Sequence, residues 1–82
     1  MDQKALSMFA HLSQSLHFGK TALAHHISPS TLSRAIQRLE DEVGDELLHR
    51  DNRTVVLTDV GKKFKAYAEQ QLEQWEKFKP VT

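Results

Sequence analysis

Hydrophobic residues recur at helical spacing near the start of the chain and predict two helices there. Leu6, Phe9 and Leu12 follow one another at intervals of three, which places them on one face of a helix over about Gln3–Gln14. The alanine-rich segment KTALAHH predicts a short second helix over about Lys20–His26, because a glycine interrupts the pattern just before it.

The third predicted helix, Pro29–Val43, has the clearest boundaries in the chain. Ser28 is a good N-cap residue, and proline suits the first helical position because the N–H it lacks has no intrahelical partner there. Gly44 is placed to end the helix. One apolar stripe, at spacings of four, three and four, must pack inward and consists of Leu32, Ile36, Leu39 and Val43. Two short helices joined by a tight turn, after a first helix, form a helix-turn-helix.

The opposite side of the third helix is polar and cationic. Ser30, Ser33, Arg34, Gln37 and Arg38 lie away from the apolar stripe, and no carboxylate occurs in this helix before position 40. The N-terminus of a helix attracts phosphate, arginine can make two hydrogen bonds to guanine, and glutamine can make two to adenine. The pattern predicts a DNA-recognition helix whose N-terminal half enters a groove, against the alternative of an ordinary solvated face.

A short β-hairpin is predicted after the third helix. The segment ELLHRDNRTVVLT contains two possible strands, 47–50 and 53–57, on either side of a turn at residues 51–52. Arg50 and Arg53 flank the tip of this wing, and a narrow minor groove attracts arginine. The alternative is a hairpin that closes the core and leaves its arginines solvated.

The last predicted helix is the longest, and it runs from Asp59 until Pro80 stops it, after Thr58 as N-cap. Its apolar and aromatic stripe consists of Phe64, Tyr67, Ala68, Leu72, Trp75 and Phe78. About twenty residues make a helix roughly 30 Å long, which a domain this small cannot cover. We therefore predict that the stripe is a dimerisation seam as well as a contact to the first helix. The alternative is a helix packed entirely within its own chain.

The charge distribution supports an anionic partner, although the net charge of the 82 residues is zero. Between Asp2 and Glu40 there is no acidic residue, and five acidic residues then lie between positions 40 and 46. The chain has no cysteine, no apolar run of membrane-spanning length and no signal-peptide pattern at its N-terminus. These features predict a soluble, cytoplasmic protein.

Enzymatic and metal-binding patterns are not found in the sequence. His25 and His26 are adjacent, so on a helix they point about 100° apart and cannot chelate one metal together. There is no His-Glu-x-x-His run, no glycine-rich phosphate loop and no nucleophile motif around the serines. We predict neither an enzyme nor a bound cofactor or metal.

The segment FGKTALAHHISPSTLSRAIQRLEDEVGDELLHRDNRTVVLTDVG, Phe18–Gly61, resembles the winged helix-turn-helix of LysR-type transcriptional regulators. Its most telling parts are LSRAIQRLE, the glycine at position 44, LLHR and VVLTDVG. Within that family, SPSTLSR and RDNRTVVLT are most similar to a regulator of isoleucine–valine biosynthesis. The resemblance implies a mainly α fold, with a three-helix core, a two-stranded wing and a long C-terminal linker helix.

The resemblance also implies how such a domain meets double-stranded operator DNA. The third helix would lie in the major groove and the wing, about 47–57, in the minor groove. By that match the residues expected at the DNA are Lys20, Thr21, Ser28, Pro29, Ser30, Thr31, Ser33, Arg34, Gln37, Arg38, Arg50 and Arg53. Lys20 and Thr21 would meet backbone phosphate.

The resemblance also implies that the chain has two segments with different functions. Residues 1–58 would form the DNA-binding domain, and residues 59–79 the helix that joins a homodimer, with a tetramer in the intact protein. Family members carry an effector-binding domain, which we expect to lie outside these residues, so a small-molecule effector would bind only there. The competing hypothesis is a helical protein-interaction or assembly module that uses the aromatic C-terminal helix.

Overall fold

The computed structural model describes residues 1–80 and contains four helices and a two-stranded sheet within that range. The elements are α1 (Gln3–Ser15), α2 (Phe18–Ala24), α3 (Pro29–Val43), β1 (Leu48–Arg50), β2 (Val55–Leu57) and α4 (Asp59–Phe78). The predicted mainly α fold, with a three-helix core, a wing and a long last helix, is confirmed.

The second helix begins earlier than the sequence pattern indicated. The sequence pattern predicted a start at Lys20, but α2 starts at Phe18. Nδ1 of His17 accepts a hydrogen bond from the Lys20 N–H at 3.0 Å and so caps the helix. It also ends sooner, at Ala24, and a turn through His26, at a φ of 58°, leads into α3. Histidine is not among the preferred N-cap residues, so this boundary was missed.

Both boundaries of α3 are those predicted, because they depend on local chemistry. Ser28 Oγ accepts the Thr31 N–H at 3.1 Å, and Pro29 occupies the first turn. At the other end Gly44 adopts a left-handed conformation, with φ 87°, and donates its N–H to the Glu40 carbonyl at 2.8 Å. Glycine adopts this conformation without the steric cost that other residues meet.

The wing is an antiparallel hairpin whose strands are shorter than predicted. Its register pairs Leu48 with Leu57 and Arg50 with Val55. Leu47, predicted in the first strand, precedes the ladder; its side chain is fully buried in the core and its carbonyl accepts the Thr58 N–H at 3.1 Å. Residues 53 and 54 belong to the turn instead of the second strand.

The core lies between α1, α3, the start of the wing and the first half of α4. Phe9 and Phe64 meet edge to face, with ring centroids 5.1 Å apart, and join α1 to α4. The largest fully buried apolar side chains are Phe9, Leu12, Leu32, Leu39 and Leu47. As predicted, the inward stripe of α3 faces this core, and only Val43 of that stripe is partly exposed.

The two ends of α4 have different surroundings, which changes the predicted dimer seam. Phe64 and Ala68 are buried within the chain, and Leu72 packs partly against the same core. Their burial agrees with the predicted contact to the first helix and leaves Phe64 and Ala68 little surface for the predicted seam. The aromatic side chains of the stripe that remain exposed are Tyr67 at 45%, Trp75 at 40% and Phe78 at 77%.

The start of α4 is tied to the segment before the wing. Thr58 Oγ1 donates to the Glu46 carbonyl at 2.6 Å and accepts the Gly61 N–H at 2.9 Å. Gly61 itself is buried against the backbone of Leu47. This contact fixes the position of the wing relative to α4. Among residues 1–80, none of the helices has the length and apolar character that crossing a membrane requires.

Candidate nucleic-acid interface

The N-terminal half of α3 presents its polar face to solvent. Apart from Ser33, which is half-buried, every candidate DNA-binding residue of this segment is exposed: Ser28, Pro29, Ser30, Thr31, Arg34, Gln37 and Arg38. The face is exposed because Leu32, Ile36 and Leu39, on the reverse side, are buried. The helix thus has one side anchored in the core and the other free for a ligand.

Hydroxyl groups cluster at the N-terminus of α3. Ser28 Oγ caps the helix and lies 2.9 Å from Thr31 Oγ1 and 3.1 Å from Ser30 Oγ. Their hydrogen bonds orient the hydroxyl groups around the first turn, where the positive end of the helix dipole also lies. This turn can accept a phosphate or a base edge.

The two arginines of α3 carry charge that no neighbouring carboxylate neutralises. Within residues 1–80, neither Arg34 nor Arg38 forms an ion pair. Gln37 points toward the C-terminal half of the helix, where its Nε2 donates to Asp41 Oδ1 at 3.1 Å. Arg34 and Arg38 are therefore the cationic groups on this face that an approaching anion would meet.

The tip of the wing is shaped by Asp51. Its Oδ1 accepts hydrogen bonds from the backbone N–H groups of Arg53, at 2.8 Å, and Thr54, at 2.9 Å. These bonds, together with one from the Thr54 hydroxyl, lower the pKa of the Asp51 carboxyl. The turn leaves Arg53 exposed at the tip.

Arg50 is engaged with its own protein, unlike Arg53. Its Nη2 donates to Ser33 Oγ at 2.7 Å, and its guanidinium carbon lies 4.4 Å from the centre of the Phe18 ring. The sequence pattern placed Arg50 beside the tip of the wing. The structure shows that it also connects the wing to α2 and α3.

At the start of α2 the two predicted phosphate-binding residues have different positions. Lys20 is exposed. Thr21 is fully buried, and its hydroxyl lies 2.7 Å from Ser15 Oγ. A side chain enclosed between α1 and α2 cannot reach a phosphate, so the prediction for Thr21 is wrong and the residue has a packing role.

Two supporting interactions were not predicted from the sequence. Glu40, one of the five acidic residues between positions 40 and 46, accepts hydrogen bonds from the N–H groups of Leu47 at 2.8 Å and Leu48 at 3.3 Å, and so holds the base of the wing against α3.

The second interaction joins two histidines. His11 Nδ1 lies 3.2 Å from His25 Nε2 and connects α1 to the turn after α2. The pKa of His25 is lowered by burial first and then by nearby His11, His26 and Lys4. No local sequence signal marks either pairing, because the partners are distant in the chain.

Comparison with known sequences identifies the family. The profile described as "Bacterial regulatory helix-turn-helix protein, lysR family" matches residues 3–62. The HTH-type transcriptional activator IlvY of Salmonella typhimurium is 51% identical over 79 residues, which is 96% of this chain and 27% of that protein. IlvY of Haemophilus influenzae is 52% identical over the same length. The chain spans about a quarter of the length of these relatives, and the predicted similarity to the regulator of isoleucine–valine biosynthesis, IlvY, is confirmed.

Solved structures of DNA complexes share the fold. The DNA-binding domain of BenM bound to the catB site 1 DNA has a TM-score of 0.89 and 35% identity, covering 95% of this chain and 84% of that one. The CbnR DNA-binding domain in its DNA complex has a TM-score of 0.89 and 28% identity, covering 94% and 88%. These findings favour the DNA-binding hypothesis over the interaction module. The chain belongs to the LysR family of bacterial regulators and has the helix-turn-helix DNA-binding domain of that family.

Proposed function

We propose that this chain binds a specific operator sequence in double-stranded DNA, with α3 in the major groove and the wing in the minor groove. The observation that carries the proposal is the exposed N-terminal half of α3, which offers hydroxyl groups, two arginines and the positive end of the helix dipole on one surface. Similarity to domains solved in complex with DNA supports DNA as the ligand. The interface serves binding, with no catalytic step.

The exposed residues divide by the chemistry they can perform. Arg34 is suited to bidentate bonding to guanine, with Pro29 and Ser30 against neighbouring bases. The residues that fix the register on phosphate or sugar would be Lys20, Ser28, Thr31, Gln37 and Arg38. Arg53, at the wing tip, is suited to a narrow minor groove.

Dimerisation would use the exposed end of α4. Tyr67, Trp75 and Phe78 present aromatic surface that the chain itself leaves uncovered. Exposed aromatic surface of this kind is typical of association sites. In this proposal residues 1–58 read DNA, residues 59–79 join two copies, and intact relatives associate further into tetramers and bind effectors through regions beyond this segment.

The cellular role follows from the similarity to IlvY. About half of the residues are identical to those of IlvY over nearly the whole chain. We propose regulation of amino-acid biosynthesis genes in the cytoplasm, where a bacterial operator is found.

Selection of bound sequences from a pool of random duplexes tests the DNA-binding proposal. We expect two related half-sites about one helical turn, or a multiple of it, apart, as a symmetric dimer requires. Binding to the selected sequence should be about 1,000-fold tighter than to unrelated duplex and should weaken steeply as salt rises. A pool with no shared sequence, or affinity that salt leaves unchanged, would contradict the proposal.

Sedimentation of the chain over a range of concentrations tests the dimer. The wild type should sediment as a dimer, and Trp75→Ala should weaken association at least about tenfold, as expected when an aromatic anchor is removed. Gln74→Ala is the matched control, because Gln74 is an exposed polar neighbour on the same helix. A wild-type chain that remains monomeric at high concentration would rule out the seam.

A further inference from the structure

One guanidinium joins three parts of the candidate nucleic-acid interface: the start of α2, the side of α3 and the end of β1. Arg50 is the last residue of β1. Its Nη2 donates to Ser33 Oγ at 2.7 Å, and its guanidinium carbon, Cζ, lies 4.4 Å from the centre of the Phe18 ring. We call this group of three residues the Arg50 bridge. Its partners are 17 and 32 positions away in the chain, so it forms only in the folded domain.

The chemistry of the bridge suits arginine specifically. A hydrogen bond between a charged N–H group and a hydroxyl is stronger than a neutral one, and 2.7 Å is short for an N–H···O contact. The ring of Phe18 adds a cation–π attraction. The planar guanidinium can bond through one edge while its face lies over a ring, and the compact ammonium of lysine cannot reproduce that combination.

The wing needs such a support because it is small. Each strand has three residues, and an isolated two-stranded hairpin is marginally stable. The buried side chains of Leu47 and Leu48 and the Glu40 carboxylate hold its base. The Arg50 bridge holds β1 at the end nearer the tip, where Arg50 pairs with Val55, the first residue of β2. A wing fixed in place before DNA arrives loses less conformational entropy on binding.

We propose that Arg50 is a positioning residue for DNA binding, which holds the wing against the recognition helix through Ser33 and Phe18. Ser33 then acts through Arg50 instead of reading a base. This inference rests on the proposed function and deepens it. It separates the two wing arginines, because Arg53 contacts DNA from the tip and Arg50 sets the distance between the wing and α3.

A double-mutant cycle on the whole 82-residue chain tests the bridge. The measurement is fluorescence anisotropy of the selected duplex, titrated at several salt concentrations with wild type, Ser33→Ala, Arg50→Lys and the double variant. Each single change should weaken binding by about 5- to 20-fold. The double variant should bind as tightly as the single variant of lower affinity, because both changes remove the same contact. None of these changes alters net charge, so the dependence of affinity on salt should stay that of the wild type.

Base preference separates a positioning role from base reading. Repeating the selection with Ser33→Ala should return the wild-type sequence. A relaxed preference at one base would show that Ser33 reads that base and would overturn the inference. Arg50→Lys with wild-type affinity would also overturn it, because charge alone would then be sufficient.

The Phe18 arm has its own pair of variants. Phe18→Tyr keeps a ring beneath the guanidinium and should bind as the wild type does. Phe18→Leu should weaken DNA binding when Arg50 is present but should cause no further loss of affinity in the Arg50→Lys variant. An equal loss of affinity with Arg50 and with Lys at position 50 would show that Phe18 is not part of the bridge. Urea unfolding of each variant identifies any loss that comes from a destabilised fold.

Arg53 supplies the matched control for the cycle. Because Arg53 lies at the tip and does not bond to Ser33, the effects of Arg53→Lys and Ser33→Ala should add. If the wild type binds the duplex and the Ser33 and Arg50 effects also add, only the bridge is overturned. If the wild type shows no salt-dependent binding, the proposed function itself fails and the bridge has no role in it.

Discussion

Replacing Arg34 with alanine is expected to weaken binding of the selected duplex by about 1–3 kcal/mol and to relax base preference at one position of each half-site. Arg34 is exposed on the recognition face, and within residues 1–80 no carboxylate pairs with it. A bidentate contact from arginine to guanine contributes about this much discrimination against the wrong base. Anisotropy titrations and a repeated selection measure the two effects.

Two control variants separate base reading from charge. Arg34→Lys keeps the charge but loses the planar pair of donors, so it should keep the salt dependence of the wild type and still lose base preference. Lys20→Ala removes a charge expected at phosphate, so it should weaken binding to all sequences alike. It should also lower the slope of log affinity against log salt concentration by about 1, which corresponds to one released counterion. An Arg34→Ala variant with unchanged base preference would show that Arg34 does not read a base.

Replacing Gly61 with alanine is expected to destabilise the fold by about 3 kcal/mol, the upper part of the usual range for overpacking. An added Cβ would overlap the carbonyl oxygen of Leu47 and lie 2.9 Å from its carbonyl carbon. Backbone atoms cannot move aside as a flexible side chain can, so α4 and the segment before the wing would have to separate. That separation would also strain the bond between Thr58 and the Leu47 carbonyl.

Urea unfolding followed by circular dichroism measures this loss, and Gly44 provides the comparison. A Cβ at Gly44 meets no atom within 4 Å, but the backbone there has φ 87°. Gly44→Ala should therefore cost only about 1–2 kcal/mol, through conformation alone, and Gly44→Asn should recover part of it. Gly61→Asn should recover none of the stability lost in Gly61→Ala. A Gly61→Ala chain as stable as the wild type would show that Leu47 does not pack closely on α4.

Local chemistry explains why some boundaries could be predicted. Ser28 and Pro29 begin α3, and Gly44 ends it, because each acts on backbone groups within a few residues. Thr58 caps α4 in the same way, by accepting the Gly61 N–H. The start of α2 was missed because its cap is the imidazole of His17, a side chain that carries no strong helix-start signal.

The roles of side chains on α4 could not be decided from spacing. Phe64 and Trp75 belong to the same helical stripe, yet Phe64 is buried against Phe9 and Trp75 remains 40% exposed. The difference arises because α1 has only 13 residues and covers one part of a 20-residue helix. Periodicity describes a face, whereas burial depends on the length of the partner.

By itself, the amino-acid sequence determined the order of the elements, the inward and outward faces of α3 and membership of the family, because these depend on spacing and on nearest-neighbour capping. Only the tertiary structure decided that Thr21 is enclosed, that Glu40 supports the wing and that Arg50 bonds to Ser33. Each of these contacts joins residues that are brought together by helix packing and not by the chain. Their partners are fixed by where the elements meet in space, a relation that residue spacing does not contain.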